Sequence, residues 1–148
     1  MIILNLFVFG ALLLVPLPVT KPIERAFLEN SAGGLSEVLT VRGDIPVSLP
    51  EPLSIADQLS SDQVYLVFRR VFSVYKTTEF FITPGLTTLP GRPGGILRAR
   101  WSFQDQKTGR ISPLRIFFFV SPEPLKTIPG RGAAASALRI VEIRGERL

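Results

Sequence analysis

From Ser60 to Phe81 the sequence reads SSDQVYLVFRRVFSVYKTTEFF, rich in the valine and aromatic residues that favour strands. Its apolar spacing is nevertheless helical. Val64, Phe68, Val71, Phe72 and Tyr75 fall at i, i+4, i+7, i+8 and i+11, one face of a three-turn helix. Ser60 followed by Gln63 is a capping box, in which the hydroxyl accepts from the Gln63 amide and the Gln63 side chain reaches back. Asp62 places negative charge in the first turn, where the helix dipole is positive. Period outweighs propensity, and the pattern predicts a helix from Ser61 to about Thr77. Arg69 and Arg70 lie off the apolar face and read as a solvated surface.

Beyond this helix the period changes to two. Phe80 to Thr83 reads as a short strand stub, and Thr83 to Gly95 as a long loop crowded with Pro and Gly. ILRARWSFQ then alternates, with Leu97, Ala99, Trp101 and Phe103 on one face and Arg98, Arg100, Ser102 and Gln104 on the other. DQKTG, Asp105 to Gly109, is a hairpin turn. Its partner PLRIFFFVS carries Leu114, Ile116, Phe118 and Val120 on one face and Arg115, Phe117 and Phe119 on the other. Both faces are largely apolar, so this strand is expected at the centre of the sheet and covered on both sides. Ser121 to Ser136 is read as a second loop, and ALRIVEIRGE as the last strand.

Upstream, Pro22 to Asn30 reads as a short helix with Ile23, Ala26 and Phe27 on one side. The turn Ser31-Ala32-Gly33-Gly34 precedes a second short helical piece, Gly34 to Thr40. IPVSLPEP, bounded by proline, reads as a short edge strand. The fold class is α+β, with short N-terminal helices and one long helix packed on one face of an antiparallel sheet, in a single domain spanning 21–148.

The first 20 residues stand apart, because no charged side chain occurs before Lys21. The apolar run Ile2 to Val15 has the length of a signal-peptide core, ended by Pro16 and Pro18. The leading residues carry no Lys or Arg, and Pro18 and Thr20 do not make a small-residue cleavage pattern. Both a cleaved leader and an uncleaved anchor reaching about Val19 are therefore open. Either places the domain outside the cytoplasm, periplasmic or secreted, or anchored with membrane contact through residues 1–20. No cysteine near residue 20 offers a site for lipid attachment.

The chain has no cysteine and no histidine. Disulfides, thiolate or imidazole metal sites, cysteine nucleophiles and histidine acid–base chemistry are excluded. No cofactor or metal site is identified. The net charge of +5 is uneven. Lys21 to Pro84 holds 6 basic and 8 acidic residues, whereas Gly85 to Leu148 holds 11 basic and 4 acidic. The arginines are spread singly, as on the solvent faces of strands.

The element order resembles the nuclear-transport-factor-2-like superfamily, in particular its small exported domains of unknown function. GGLSEVLTVRGDIPVSLP, SSDQVYLVFRRVFSVYKTTEFFI, PLRIFFFVSPEP and the final ALRIVEIRGE carry the resemblance, which spans about Ile23 to Arg147. It implies a cone: a curved antiparallel sheet wrapped around the long helix, enclosing a pocket. Some members, such as ketosteroid isomerase, use an Asp base with a Tyr and a protonated Asp as oxyanion hole. Those residues do not carry over. IERAFLEN offers no tyrosine, and WSFQD places only Asp105 nearby.

The preferred functional reading is a non-catalytic exported binding or interaction domain. Phe68, Phe72, Tyr75, Trp101 and Phe118 would line a small apolar pocket for an apolar ligand, and Phe117 and Phe119 would form a sheet-mediated homodimer interface. One alternative is a pocket enzyme acting on an apolar substrate, with Glu51, Glu79 or Asp105 as an inward-pointing base. Another is a polyanion-binding module using Arg98, Arg100, Arg110 and Arg115, which requires those side chains on one contiguous surface. Nucleic acid is not the expected partner of an exported domain.

Overall fold

The computed structural model describes residues 19–124 and 136–148. The helix α1 (Thr20–Leu28) buries Ile23, Ala26 and Phe27, as the sequence spacing requires. Val19 is itself buried, and its carbonyl accepts from the Ile23 amide. The folded unit thus begins at least two residues before the predicted boundary at residue 21. A five-residue helix α2 (Ala32–Ser36) follows, with the Ser31 hydroxyl accepting from the Gly34 amide. The chain then runs into β1 (Ile45–Leu49) and β2 (Ile55–Leu59).

The capping box at Ser60 is complete, with the Gln63 amide 3.2 Å from Ser60 Oγ and the Ser60 amide 2.9 Å from Gln63 Oε1. It starts α3 (Ser61–Val74), which buries Val64, Phe68, Val71 and Phe72. The helix ends about three residues earlier than its spacing suggests. Tyr75 already has extended backbone angles, and β3 (Tyr75–Ile82) begins there without a loop. Seven residues of ladder pairing with the next long strand replace the strand stub expected at Phe80 to Thr83. The run Tyr-Lys-Thr-Thr favours extension, and the neighbouring strand supplies the hydrogen bonds a further helical turn would have given. Lys76 Nζ donates to the Phe72 carbonyl at 2.6 Å, satisfying one of the orphan acceptors at the helix end.

The remaining strands are β4 (Thr87–Thr88), β5 (Gly95–Asp105), β6 (Ile111–Pro124) and β7 (Ser136–Arg147). The sheet order is β2-β1-β7-β6-β5-β3, with β4 paired to β5. β6 is interior, as its two-sided apolar pattern predicts, but it is not covered on both sides: Phe117 and Phe119 on the outer face are only half-buried and Arg115 is exposed. It extends to Pro124, into the segment read as a loop. The rest of that predicted loop, 125–135, lies outside the described residues. Two expectations are corrected. The strand of IPVSLPEP is not the edge: β2, which the sequence reading missed, pairs antiparallel outside it. On its other side β1 runs parallel to β7, through Val47↔Ile143 and Ser48↔Arg144, so the otherwise antiparallel sheet is mixed. Register breaks at Thr77/Glu79 and Phe119/Val120 are the bulges that bend a sheet of this length.

The helices fill the concave side. Phe27 is the hub: its ring centroid lies 4.4 Å from Phe80, 5.0 Å from Trp101, 5.5 Å from Phe72, 5.6 Å from Phe118 and 5.9 Å from Phe68. Most of these pairs are edge-on, the arrangement that suits ring quadrupoles.

Candidate functional site

Three regions bear on function: the interior of the cone, the outer face of its sheet and the rim at its open end. The interior holds four of the five residues predicted to line a pocket. Phe68, Phe72, Trp101 and Phe118 are at most 2% exposed and pack on Phe27. Trp101 Nε1–H donates to Thr77 Oγ1 at 2.9 Å, so its one polar atom is satisfied within the fold. These four side chains form core rather than a cavity wall. Tyr75 differs. It is half-buried at the rim, its ring edge-on to Phe103 at a centroid distance of 5.2 Å.

The outer face carries the predicted interface pair. Phe117 sits between Arg98 on β5 and Arg144 on β7, and Phe119 between Ile96 and Glu142. Arg115 sits between Arg100 and Glu146, with Phe81 beyond Arg100 on β3. Phe117 and Phe119 are half-buried, whereas Phe81 is 46% exposed. Arg144 donates to Glu142 Oε2 at 2.8 Å and holds its guanidinium 5.2 Å from the Phe119 ring centroid, a cation–π contact. Leu89, Arg92 and Pro93 from the loop before β5 approach Phe119, enclosing a small cleft of about 210 Å³. The result is a strip of phenylalanines flanked by arginines and interrupted by Glu142 and Glu146. Of the four arginines named for a polyanion, Arg98, Arg100 and Arg115 share this face. Arg110 does not; it lies at the β5–β6 hairpin, on the rim.

At the rim the β1–β2 turn, the start of β3, the β5–β6 hairpin and the end of β7 surround a cleft of about 590 Å³. Glu51 and Asp105 line it, but neither is buried and both are engaged. Glu51 Oε2 lies 2.7 Å from Arg147 Nη2. Asp105 Oδ1 accepts from the amides of Lys107 (2.8 Å) and Thr108 (3.3 Å), closing the hairpin turn. Glu79 is exposed on β3. The enzyme alternative requires one of these three carboxylates pointing into a cavity: Glu51 and Asp105 line the rim cleft rather than the cone interior, and Glu79 lines neither. The one buried carboxylate of the described residues is Glu123, which accepts from the Thr40 hydroxyl across the β6–α2 junction. Among the described residues no three acidic side chains come together to hold a metal ion.

Sequence reasoning missed most of the rim. Ser54, Ser112 and Arg147 reach it from segments far apart in the chain, and no local pattern marks them. Glu123 was missed for the same reason: its partner is 83 residues away.

No protein-family model matches the sequence, and no curated protein matches it. Solved structures do match in fold. A putative isomerase from Bacillus subtilis superposes with TM-score 0.58 at 13% identity, over 84% of this chain and 80% of that one. An NTF2-like protein of unknown function in nutrient uptake from Rhodospirillum rubrum gives 0.57 at 12% identity, over 86% and 93%. A DUF4783 family protein from Bacteroides ovatus gives 0.53 at 11% identity, over 86% and 93%. The chain therefore has the nuclear-transport-factor-2-like cone fold. At these identities the likeness establishes architecture, and the function rests on this chain's own residues.

Proposed function

We propose that this protein is a non-catalytic, exported interaction domain that pairs with a second copy of itself through the outer face of its sheet. The carrying observation is the distribution of aromatics. Those on the concave side are consumed by the core, whereas Phe81, Phe117 and Phe119 stand on the outer face without a covering helix among the described residues. Arginines and glutamates alternate with them, which suits a self-complementary surface better than a uniformly basic one. The charge-free apolar segment before Pro16 supports export.

Sedimentation velocity on the purified protein tests the pairing. The wild type is expected to sediment as a dimer, and Phe117→Glu as a monomer with an unchanged circular dichroism spectrum. A monomeric wild type at micromolar concentration would sink the proposal. Binding to heparin that falls steeply with salt and is lost in an Arg98→Gln/Arg100→Gln/Arg115→Gln variant would favour the polyanion reading instead.

A further inference from the structure

The rim cleft has a composition that neither the core nor the outer face shares. Its apolar wall comes from Pro52 and Ile111, and Ile111 is 57% exposed although it opens a strand. Its polar wall holds two guanidinium groups, Arg110 and Arg147, two carboxylates, Glu51 and Asp105, and three hydroxyl residues. Arg147 and Glu51 are paired with each other, and the Asp105 oxygen facing the turn is occupied by two amides. Arg110 is different. Its backbone is used, the amide donating to Thr108 Oγ1 and the carbonyl accepting from the Asp105 amide. Its guanidinium has no carboxylate oxygen within 4.0 Å and no hydrogen-bond partner among the described residues. The hydroxyls of Tyr75, Ser54 and Ser112 lie in the same lining and likewise have no partner among the described residues.

A free cation and three hydroxyls beside an apolar wall recognise one chemical class. We propose that the rim cleft binds a small amphipathic carboxylate, with its anionic head on Arg110 and its apolar body along Ile111 and Pro52. Guanidinium and carboxylate match as planar, charge-assisted hydrogen-bonding groups. The volume of about 590 Å³ falls within the range of about 300–1,000 Å³ typical of small-molecule sites. The Glu51–Arg147 pair is neutral, and the remaining side-chain carboxylate of the lining, Asp105, is already held by two turn amides. Four separate segments build the site, so its shape is set by this end of the sheet rather than by one loop. The cleft lies at the end of the strands, apart from Phe117 and Phe119, so this proposal stands or falls separately from the pairing proposed above.

Isothermal titration calorimetry on the full chain with decanoate tests it, with decanol and decyltrimethylammonium as head-group controls. Decanoate is expected to bind one molecule per chain, and Arg110→Gln to weaken it by about tenfold or more, the loss of a hydrogen bond to a charged group. Arg100→Gln, on the outer face, is expected to bind like the wild type. Arg110 is exposed, so its variant should keep the wild-type melting curve. Equal affinity for decanol, unchanged binding in Arg110→Gln, equal weakening in Arg100→Gln, or no binding of decanoate below its micelle concentration would each overturn the proposal.

Discussion

Phe27 and Phe117 are the same residue type with opposite fates, and the difference is a matter of position rather than propensity. Phe27 has no exposed surface and touches five rings. Phe27→Ala should cost about 3–5 kcal/mol, read from urea denaturation, because the surrounding rings cannot collapse into the vacated volume. Ser60→Ala removes one half of a formed capping box, and is expected to cost about 0.5–2 kcal/mol by the same measurement. Gly95 is constrained more tightly. A Cβ there would lie 2.3 Å from the Thr87 carbonyl oxygen. Gly95→Ala must therefore displace β4, and the expected result is a lowered Tm with loss of amide protection at Thr87 and Thr88. Sequence alone marked Gly94 and Gly95 as loop residues; the need for glycine comes from the close approach of β6 at Gly94 and of β4 at Gly95.

At the level of elements, the two ends of the sheet are treated differently. The free edge of β3 is guarded from α1: Asn30 Oδ1 accepts from the Thr77 amide at 2.9 Å, and Glu24 Oε1 from the Ile82 amide at 3.3 Å. Side chains from α1 and from the turn that follows it thus stand in for the missing neighbouring strand. Asn30 also adopts a left-handed backbone, which Asn and Gly tolerate best. Asn30→Gly keeps that conformation and removes only the acceptor, so about 1 kcal/mol should be lost and the Thr77 amide should exchange faster with deuterium. β2 at the opposite edge was invisible in the sequence because IADQL buries only Leu59 and carries two residues poor in strand propensity. Its pairing with β1 makes it a strand. The early end of α3 has a related cause: the helical face and the strand face both present Tyr75 inward, so spacing could not locate the switch.

For the molecule as a whole, the buried Val19 fixes where the folded unit must still be intact. If export removes a leader, N-terminal sequencing of the mature protein is expected to find a first residue no later than Val19. A start beyond Phe27 would remove the hub of the core. The contents of the cone bear on where a functional surface lies. An open interior would have favoured a pocket enzyme, but six aromatic rings occupy it, leaving the outer face and the rim as the surfaces with uncommitted chemistry.

Local information determined the capped helix, the alternation of β5 and β6, the interior place of β6 in the sheet and the absence of cysteine or histidine chemistry. Each depends on spacing or composition within a few turns or strands, where side-chain direction follows directly from backbone period. Only the tertiary structure decided that β1 is internal, that Phe68, Phe72, Trp101 and Phe118 close on Phe27, and that Arg110 joins Tyr75, Ser54 and Ser112 at one rim. Those facts depend on contacts between segments far apart in the chain, and a period has no information about which distant face will meet it.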